Sequence, residues 1–362
     1  MVYRVMGIMS GSSLDGLDIA FIELEELSGR WSFHILQAEC APYSDEWSNK
    51  LRNAVHLSAR DYLLLHTEYG HYIGMQVKEF MAKHALDFQV SLIASHGHTT
   101  FHMPPLMTGQ IGDGAAIAAE TGLPVVSDLR AVDVALGGQG APIVPIGEKL
   151  LWPSTSMFLN IGGIANISIN GSDNYLAYDI CPANRVLNML ALLNGKEFDD
   201  NGQMAATGQV NERLLAQLNA LPFYAQSYPK SLANDFGTDV VYPLVLASGL
   251  SVEDMLCTYT EHIAVQVAHE VENHLQQVNE IAPQILVTGG GALNNFLIDR
   301  LQYHLEALRV KVDRPDEQII QYKEALIMGM LGVLRWREET TALSSVTGAT
   351  RDSVGGALWI SQ

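Results

Sequence analysis

Three runs rich in apolar residues fill the first forty positions, Val2–Ser10, Leu17–Leu24 and Trp31–Cys40. Such runs predict strands, and the polar turn after Ser10 and the Ser28-Gly29 break predict the bends between them. The pattern then changes. Ser58 and Asp61 have the spacing of a helix capping box, and Leu65, Tyr69, Tyr72, Ile73, Val77, Phe80 and Met81 recur behind them at helical spacing. Ser91–Ser95 predicts a short apolar strand, Ala115–Thr121 a helix closed by Gly122, and Leu123–Asp128 a further strand. The same order then returns. Met157–Ile161, Ala165–Ile169 and Tyr175–Ile180 predict three strands, and Asn184–Leu193 a helix ended by Gly195. Further helices follow, one opened by Ser251 and Asp254. Strand Ile285–Thr288 runs into Gly289-Gly290-Gly291, and a helix (Asn294–Leu308), a strand (Val310–Asp313) and a helix (Lys323–Trp336) complete the pattern.

Each half therefore reads strand–strand–strand–helix–strand–helix–strand, a repeat of order and not of residues. Two such halves predict a cleft, and ligands favour domain interfaces. The Gly- and Pro-dense segment Gly137–Pro145 reads as the crossing between them. The chain's 362 residues suit two domains. Forty acidic against 21 basic residues give a net charge of −19, which repels nucleic acid and anionic membranes, so neither is expected as a partner. Backbone N–H groups can still hold a phosphate locally. Cys40, Cys181 and Cys257 are too scattered for a disulfide framework and fit a reducing compartment. The first apolar run is interrupted by polar and acidic residues, unlike a signal peptide, and no stretch of about 18 apolar residues exists. The expected location is the cytoplasm.

Candidate chemistry gathers at the turns. In MSGSSLDGLD, Gly11 and Gly16 permit tight backbone, Ser12 and Ser13 offer hydroxyls, and Asp15 and Asp18 can hold Mg²⁺ through water. The same residues also suit an ordinary hairpin turn. NIGGIAN, with Asn160, Gly162 and Gly163, occupies the equivalent turn of the second half, so two loops can clamp a triphosphate. The glycines of Val287–Gly291 open a helix and allow close approach to adenosine. Asp179 ends a strand, as a general base or as a helix-capping turn residue. His96, His98 and His102 read as the lining of a sugar pocket or, less simply, as a metal site. Arg130 suits an anionic substrate group or a salt bridge to Asp128 or Asp133. Glu324 is either a favourable charge at a helix N-terminus or a cleft carboxylate.

Taken as an ordered set, MGIMSGSSLDGLD, SHGHTTFH, QIGDGAAIAAETGLPVVSDLRAVDVALGGQGAPIVP, NIGGIANIS, VTGGGALNN and KEALIMGML resemble the 1,6-anhydro-N-acetylmuramic acid kinase family across nearly the whole chain. The resemblance implies the α/β, two-lobed sugar kinase/Hsp70/actin fold (ribonuclease H-like, duplicated) with an interlobe cleft. The lobes expected are 1–130, with 340–362 packing back on it, and 131–339. It implies ATP and Mg²⁺, a small-molecule amino sugar as substrate, and a homodimer. Gly11, Ser12, Ser13, Leu14, Asp15, Gly16, Leu17 and Asp18 match the first phosphate loop, with Ser12 where the family usually has Thr. Gly162 and Gly163 match the second phosphate segment, Gly289, Gly290 and Gly291 the adenosine segment, and Asp179 the catalytic aspartate. His96, Arg130, Asn160 and Glu324 are expected at the substrate. The family typically reads D-T-G-P-x-N where this chain reads D-I-C-P-A-N, so Ile180 and Cys181 depart from the pattern. The implied reaction opens the internal acetal with water and phosphorylates O6 in cell-wall recycling. Two other readings are a kinase of the same superfamily acting on an ordinary hydroxyl and a non-catalytic ATP- or sugar-binding regulator.

Overall fold

The structure, a computed structural model, describes residues 1–11, 13–171, 175–228, 230–232, 235–278 and 282–361. The chain divides into two units, Met1–Pro153 with Tyr322–Gln362, and Ser154–Gln321.

The first unit contains strands β1 (Val2–Ser10), β2 (Gly16–Leu27), β3 (Arg30–Pro42), β4 (Leu92–Ser95), β5 (His98–Met103), β6 (Met107–Ile111) and β7 (Val125–Ser127). The second contains β8 (Met157–Ile161), β9 (Ile164–Asn170), β10 (Tyr175–Pro182), β11 (Gln284–Thr288) and β12 (Lys311–Asp313). The last strand, β13 (Ala357–Trp359), returns to the first unit. The main sheet of the first unit has the order β13-β7-β4-β1-β2-β3, and that of the second β10-β9-β8-β11-β12. In each, three strands run as an antiparallel meander and the first of them continues into two parallel neighbours. This order, found twice, is the duplicated ribonuclease H-like arrangement of the sugar kinase/Hsp70/actin fold.

Alternation along the strands sorts side chains between two layers. Met6, Ile8, Leu17, Ile19 and Phe21 pack with Tyr69, Ile73, Val77 and Phe80 of the helix Ala59–Lys83. Val5, Ala20, Ile22 and Leu24 pack with Leu326, Met330 and Val333 of the helix Glu317–Trp336. That second layer is unusually close. A Cβ on Gly7 would stand 1.8 Å from the carbonyl oxygen of Ala325, and one on Gly329 2.7 Å from Ile22 Cδ1. The helix Ala59–Lys83 starts as its capping spacing requires, with Asp61 N–H donating to Ser58 Oγ at 3.2 Å. In the second unit the helix Val252–His274 starts the same way, Asp254 N–H donating to Ser251 Oγ at 3.2 Å. It buries Leu256, Tyr259, Ile263 and Val267 in that unit's core.

Two expectations need correction, and one element was not expected. Residues 131–153 and 322–339 group with the first unit, not with the second, because residues 325–334 supply one of its core layers. Gly137–Pro145 lies within the first unit and is no crossing. Its Gly140 N–H donates to Asp133 Oδ2 at 2.7 Å, and Gln139 N–H to the Thr347 carbonyl at 2.8 Å. Strands β5 and β6 form a hairpin of their own that the hydrophobic alternation does not mark. No helix among the described residues is long and apolar enough to cross a membrane.

Candidate functional site

In the first unit the turn between β1 and β2 is self-bracing. Asp15 Oδ1 accepts from Ser13 Oγ at 2.7 Å and from Gly16 N–H at 3.0 Å. Tyr43 N–H donates to the Asp15 carbonyl at 3.2 Å, and Leu14 takes a left-handed φ of 58°. Ser12 lies outside the described residues. The glycines differ in kind. A Cβ on Gly16 would meet Cys40 Sγ at 2.4 Å and the Ala41 carbonyl at 2.7 Å, whereas at Gly11 the nearest atom is Ser13 Oγ at 3.3 Å. Gly16 is therefore required by packing, whereas at Gly11 only the end of one serine side chain would have to give. Leu17 is fully buried in the core beneath the turn.

Asp18, one turn of alternation further along β2, is the electrostatically tense member. Burial first, and then the neighbouring carboxylates of Asp15 and Glu324, push its pKa up to about 6, against a hydrogen bond with the Cys40 thiol. Burial likewise raises Glu324, opposed by Lys323 and Arg130 and reinforced by Glu148. Glu324 lies well inside the helix that begins at Glu317, so it is no N-terminal charge. Lys323 beside it pairs with buried Glu148 at 2.8 Å. A carboxyl whose pKa is raised on folding supports the fold below its unfolded value near 3.8 and withdraws that support as pH rises through about 6. Asp18→Asn is therefore expected to raise the melting temperature of the ligand-free protein at pH 7.5, with the difference vanishing below pH 4. An equal or lower melting temperature at pH 7.5 removes the strain assigned to this carboxylate.

His96 and Arg130 form one device. Arg130 Nε donates to His96 Nε2 at 2.8 Å, and His96 Nδ1 faces the Gly97 carbonyl at 2.9 Å. Both ring nitrogens are thus engaged. Burial and the adjacent guanidinium push His96 down to about 3, so it is neutral. His98, its Nδ1 on Ser10 Oγ at 3.1 Å, is pushed down to about 4 by burial. The metal reading of these histidines fails: among the described residues no group of three or more His, Cys, Asp or Glu is placed to hold a metal. Arg130 Nη1 donates to the Gly140 carbonyl at 2.6 Å. Among the described residues it makes no salt bridge to Asp128 or Asp133. Asp133 is instead occupied by Gly140 N–H and Thr347 Oγ1. Both hydrogen-bond partners of Arg130 are neutral, while the carboxylates of Glu324 and Asp133 act on its charge from nearby.

In the second unit three separate motifs meet. Asn184, the first residue of the helix Asn184–Leu192, donates from Nδ2 to the Ile161 carbonyl at 3.0 Å and from its backbone N–H to the Gly162 carbonyl at 3.0 Å. Gly289 and Gly291 press on the same turn: a Cβ on either would reach Asn160 Oδ1 at 2.6 Å or Ile161 Cγ2 at 2.3 Å. Gly162, Gly163 and Gly290 would meet nothing closer than 3.4 Å, so the open glycines face away from that contact.

Asp179 lies within β10, not at its end, beside a bulge between Asp179 and Cys181. The helix that follows is capped by Ala183 without a side-chain bond, so Asp179 is no N-cap. Ile180 and Cys181, the departures from the family pattern, are fully buried. Asp179 Oδ2 accepts from Ser231 Oγ and from Leu232 N–H, both at 2.9 Å. Among the described residues Oδ1 accepts no hydrogen bond. The sequence carries no periodic signal that pairs residue 231 with residue 179, and neither donor was expected. Among the described residues, hydrogen bonds thus reach one oxygen of this carboxylate and not the other.

The chain matches the family described as anhydro-N-acetylmuramic acid kinase over residues 3–361. It is 33% identical to the anhydro-N-acetylmuramic acid kinase of Vibrio parahaemolyticus serotype O3:K6, over 98% of this chain and 97% of that protein. It is 34% identical to that of Methylobacterium nodulans, over 98% of each. Among solved structures, the activator of the 2-hydroxyisocaproyl-CoA dehydratase from Clostridium difficile with bound ADPNP superposes with a TM-score of 0.46 at 15% identity, over 92% of this chain and 96% of that one. With a match that runs almost end to end, and relatives of the same name aligned over nearly their full lengths, this chain belongs to the anhydro-N-acetylmuramic acid kinase family.

Proposed function

We propose that the protein uses ATP and one water to convert 1,6-anhydro-N-acetylmuramic acid into N-acetylmuramic acid 6-phosphate and ADP, a step of peptidoglycan amino-sugar recycling. The observation that carries the reading is the asymmetric carboxylate of Asp179, one oxygen doubly hydrogen-bonded and the other unengaged among the described residues, in a chain of this family. The substrate's internal acetal ties O6 to C1, so no 6-hydroxyl exists until that bond breaks. Asp179 takes a proton from water as the water oxygen bonds C1. The C1–O6 bond breaks, O6 bonds the γ-phosphorus, and ADP leaves. The proton passes from Asp179 to solvent. Phosphoryl transfer then needs chiefly positioning and charge neutralisation.

In the second unit Gly162, Gly163 and Gly290 have room for a phosphate-bearing ligand to approach backbone, and in the first unit the turn at Gly11 suits a phosphate. Gly16, Gly289 and Gly291 shape those turns. In the first unit, Arg130, oriented by His96, suits the lactyl carboxylate of the sugar and Glu324 a sugar hydroxyl; in the second unit, Asn160 offers an amide to a sugar hydroxyl. The hard oxygen donors Asp15 and Asp18 suit Mg²⁺ held largely through water and phosphate oxygens, and Asp18's raised pKa marks a site that a cation would relieve. When bound, Mg²⁺ neutralises charge on the transferring phosphate.

Turnover in ¹⁸O-water tests the reading. One label is expected on the C1 oxygen and none in the phosphate bridge, with the α anomer formed first because water enters opposite the departing β-face O6. Label in inorganic phosphate, with the sugar left unphosphorylated, overturns it.

A further inference from the structure

A carboxylate on a strand can turn about its last torsion, which has a broad minimum. Among the described residues Asp179 is hydrogen-bonded through Oδ2 alone, by Ser231 and Leu232. Residues 230–232 belong to no strand or helix, so their own placement requires an anchor.

That anchor is buried. Lys230 Nζ pairs with Glu270 Oε1 at 2.5 Å, with both side chains almost wholly shielded from solvent. Glu270 sits on the helix Val252–His274, and its Oε2 accepts from Tyr178 Oη at 2.8 Å. Lys230 Nζ also lies 5.2 Å from the centre of the Phe223 ring. Lys230 directly precedes Ser231, and Tyr178 directly precedes Asp179. One carboxylate therefore grips both chains a single residue away from the bond that joins them. A buried ion pair is weak evidence for stability, since apolar residues of the same size often serve as well. What an apolar substitute cannot supply is a two-sided, directional link.

We infer that Ser231, set in place by the Lys230–Glu270–Tyr178 link, is a positioning residue that fixes the rotation of the Asp179 carboxylate. The inference rests on the reading of Asp179 as the base that receives the water's proton. Ser231 and Lys230 touch no substrate in this scheme and act through Asp179.

Steady-state kinetics of Ser231→Ala are the direct test. kcat is expected to fall about ten-fold, less than the hundred-fold that a misplacement of 1 Å can cost, with KM for ATP and for the anhydro sugar unchanged. Ser231→Thr, which keeps the hydroxyl, should recover kcat to within about three-fold of wild type. Lys230→Met should lower kcat in the same way, and the double variant should lose less than the product of the two single losses, because both act on one carboxylate. A kcat for Ser231→Ala within two-fold of wild type overturns the inference, as does a loss of melting temperature in Lys230→Met with kcat intact. Asp179→Asn in the same assay separates the two ideas. If it turns over normally, the reading of Asp179 fails. If it is inactive while Ser231→Ala is normal, only the positioning role fails.

Discussion

Asp179→Asn is expected to lower kcat by about 10⁴-fold, the upper end of what loss of a general base costs. The amide is the same size as the carboxylate and can still accept from Ser231 Oγ and Leu232 N–H through its oxygen. It cannot take a proton from water. The loss belongs at the high end because water attack is also what frees O6, so no later step can proceed without it. ATP affinity, measured by calorimetry, should stay within a few-fold of wild type, since the glycine turns that would approach the nucleotide are untouched. The melting temperature should be close to that of the parent, because the residue is only half-buried. Turnover above a tenth of the wild-type rate would take Asp179 out of the mechanism.

The second large effect is on folding. Gly7→Ala places a Cβ 1.8 Å from the carbonyl oxygen of Ala325, 2.7 Å from Gly329 N and 2.9 Å from the Ala325 carbonyl carbon. Every one of these is backbone, so no rotamer change relieves the clash, and the helix Glu317–Trp336 must move off β1. Overpacking typically costs 1–3 kcal/mol, and here about 3 kcal/mol or more is expected. At roughly 2–4 °C per kcal/mol for a unit of this size, the melting transition should fall by about 6–12 °C. Gly329→Ala is the internal comparison: its new methyl meets the far end of Ile22 at 2.7 Å, a side chain that can yield, so its loss should be smaller. Equal melting of Gly7→Ala and the parent would contradict this helix–strand packing.

The strand order of both units was legible because burial on two faces gives short, nearly continuous apolar runs bounded by turns, as in β1, where Met6 and Ile8 enter one layer and Val5 the other. The β5–β6 hairpin was not. Its residues His98–Met103 are mostly polar on both sides, and only His98 is buried. Gly137–Gly140 misled for a physical reason: glycine density there serves close anchoring on Asp133 rather than a passage between units. Glu324 was misplaced because the helix holding it starts a full two turns earlier, in a polar stretch. At the candidate site the turns were readable as compositions, and the resemblance placed Asp179. The donors to Asp179 lie 52 and 53 residues further along the chain, in a segment without periodicity, and only the folded structure brings them together.

The contact between Cys40 and Asp18 bears on a different chemistry. Cys40 is the one exposed cysteine among the three, and partial burial of its sulfur, then the Asp18 charge and hydrogen bond, push its thiol up to about 12. Burial raises Cys181 and Cys257 as well. The reactive species toward alkylating agents and peroxide is the thiolate, and at pH 7 a thiol of that pKa is ionised in only about one molecule in 10⁵. Cys40 is therefore expected to react slowly with thiol reagents near neutral pH despite its exposure. Burial and, after it, the Asp18 carboxylate thus hold the neighbouring sulfur in its less reactive thiol form.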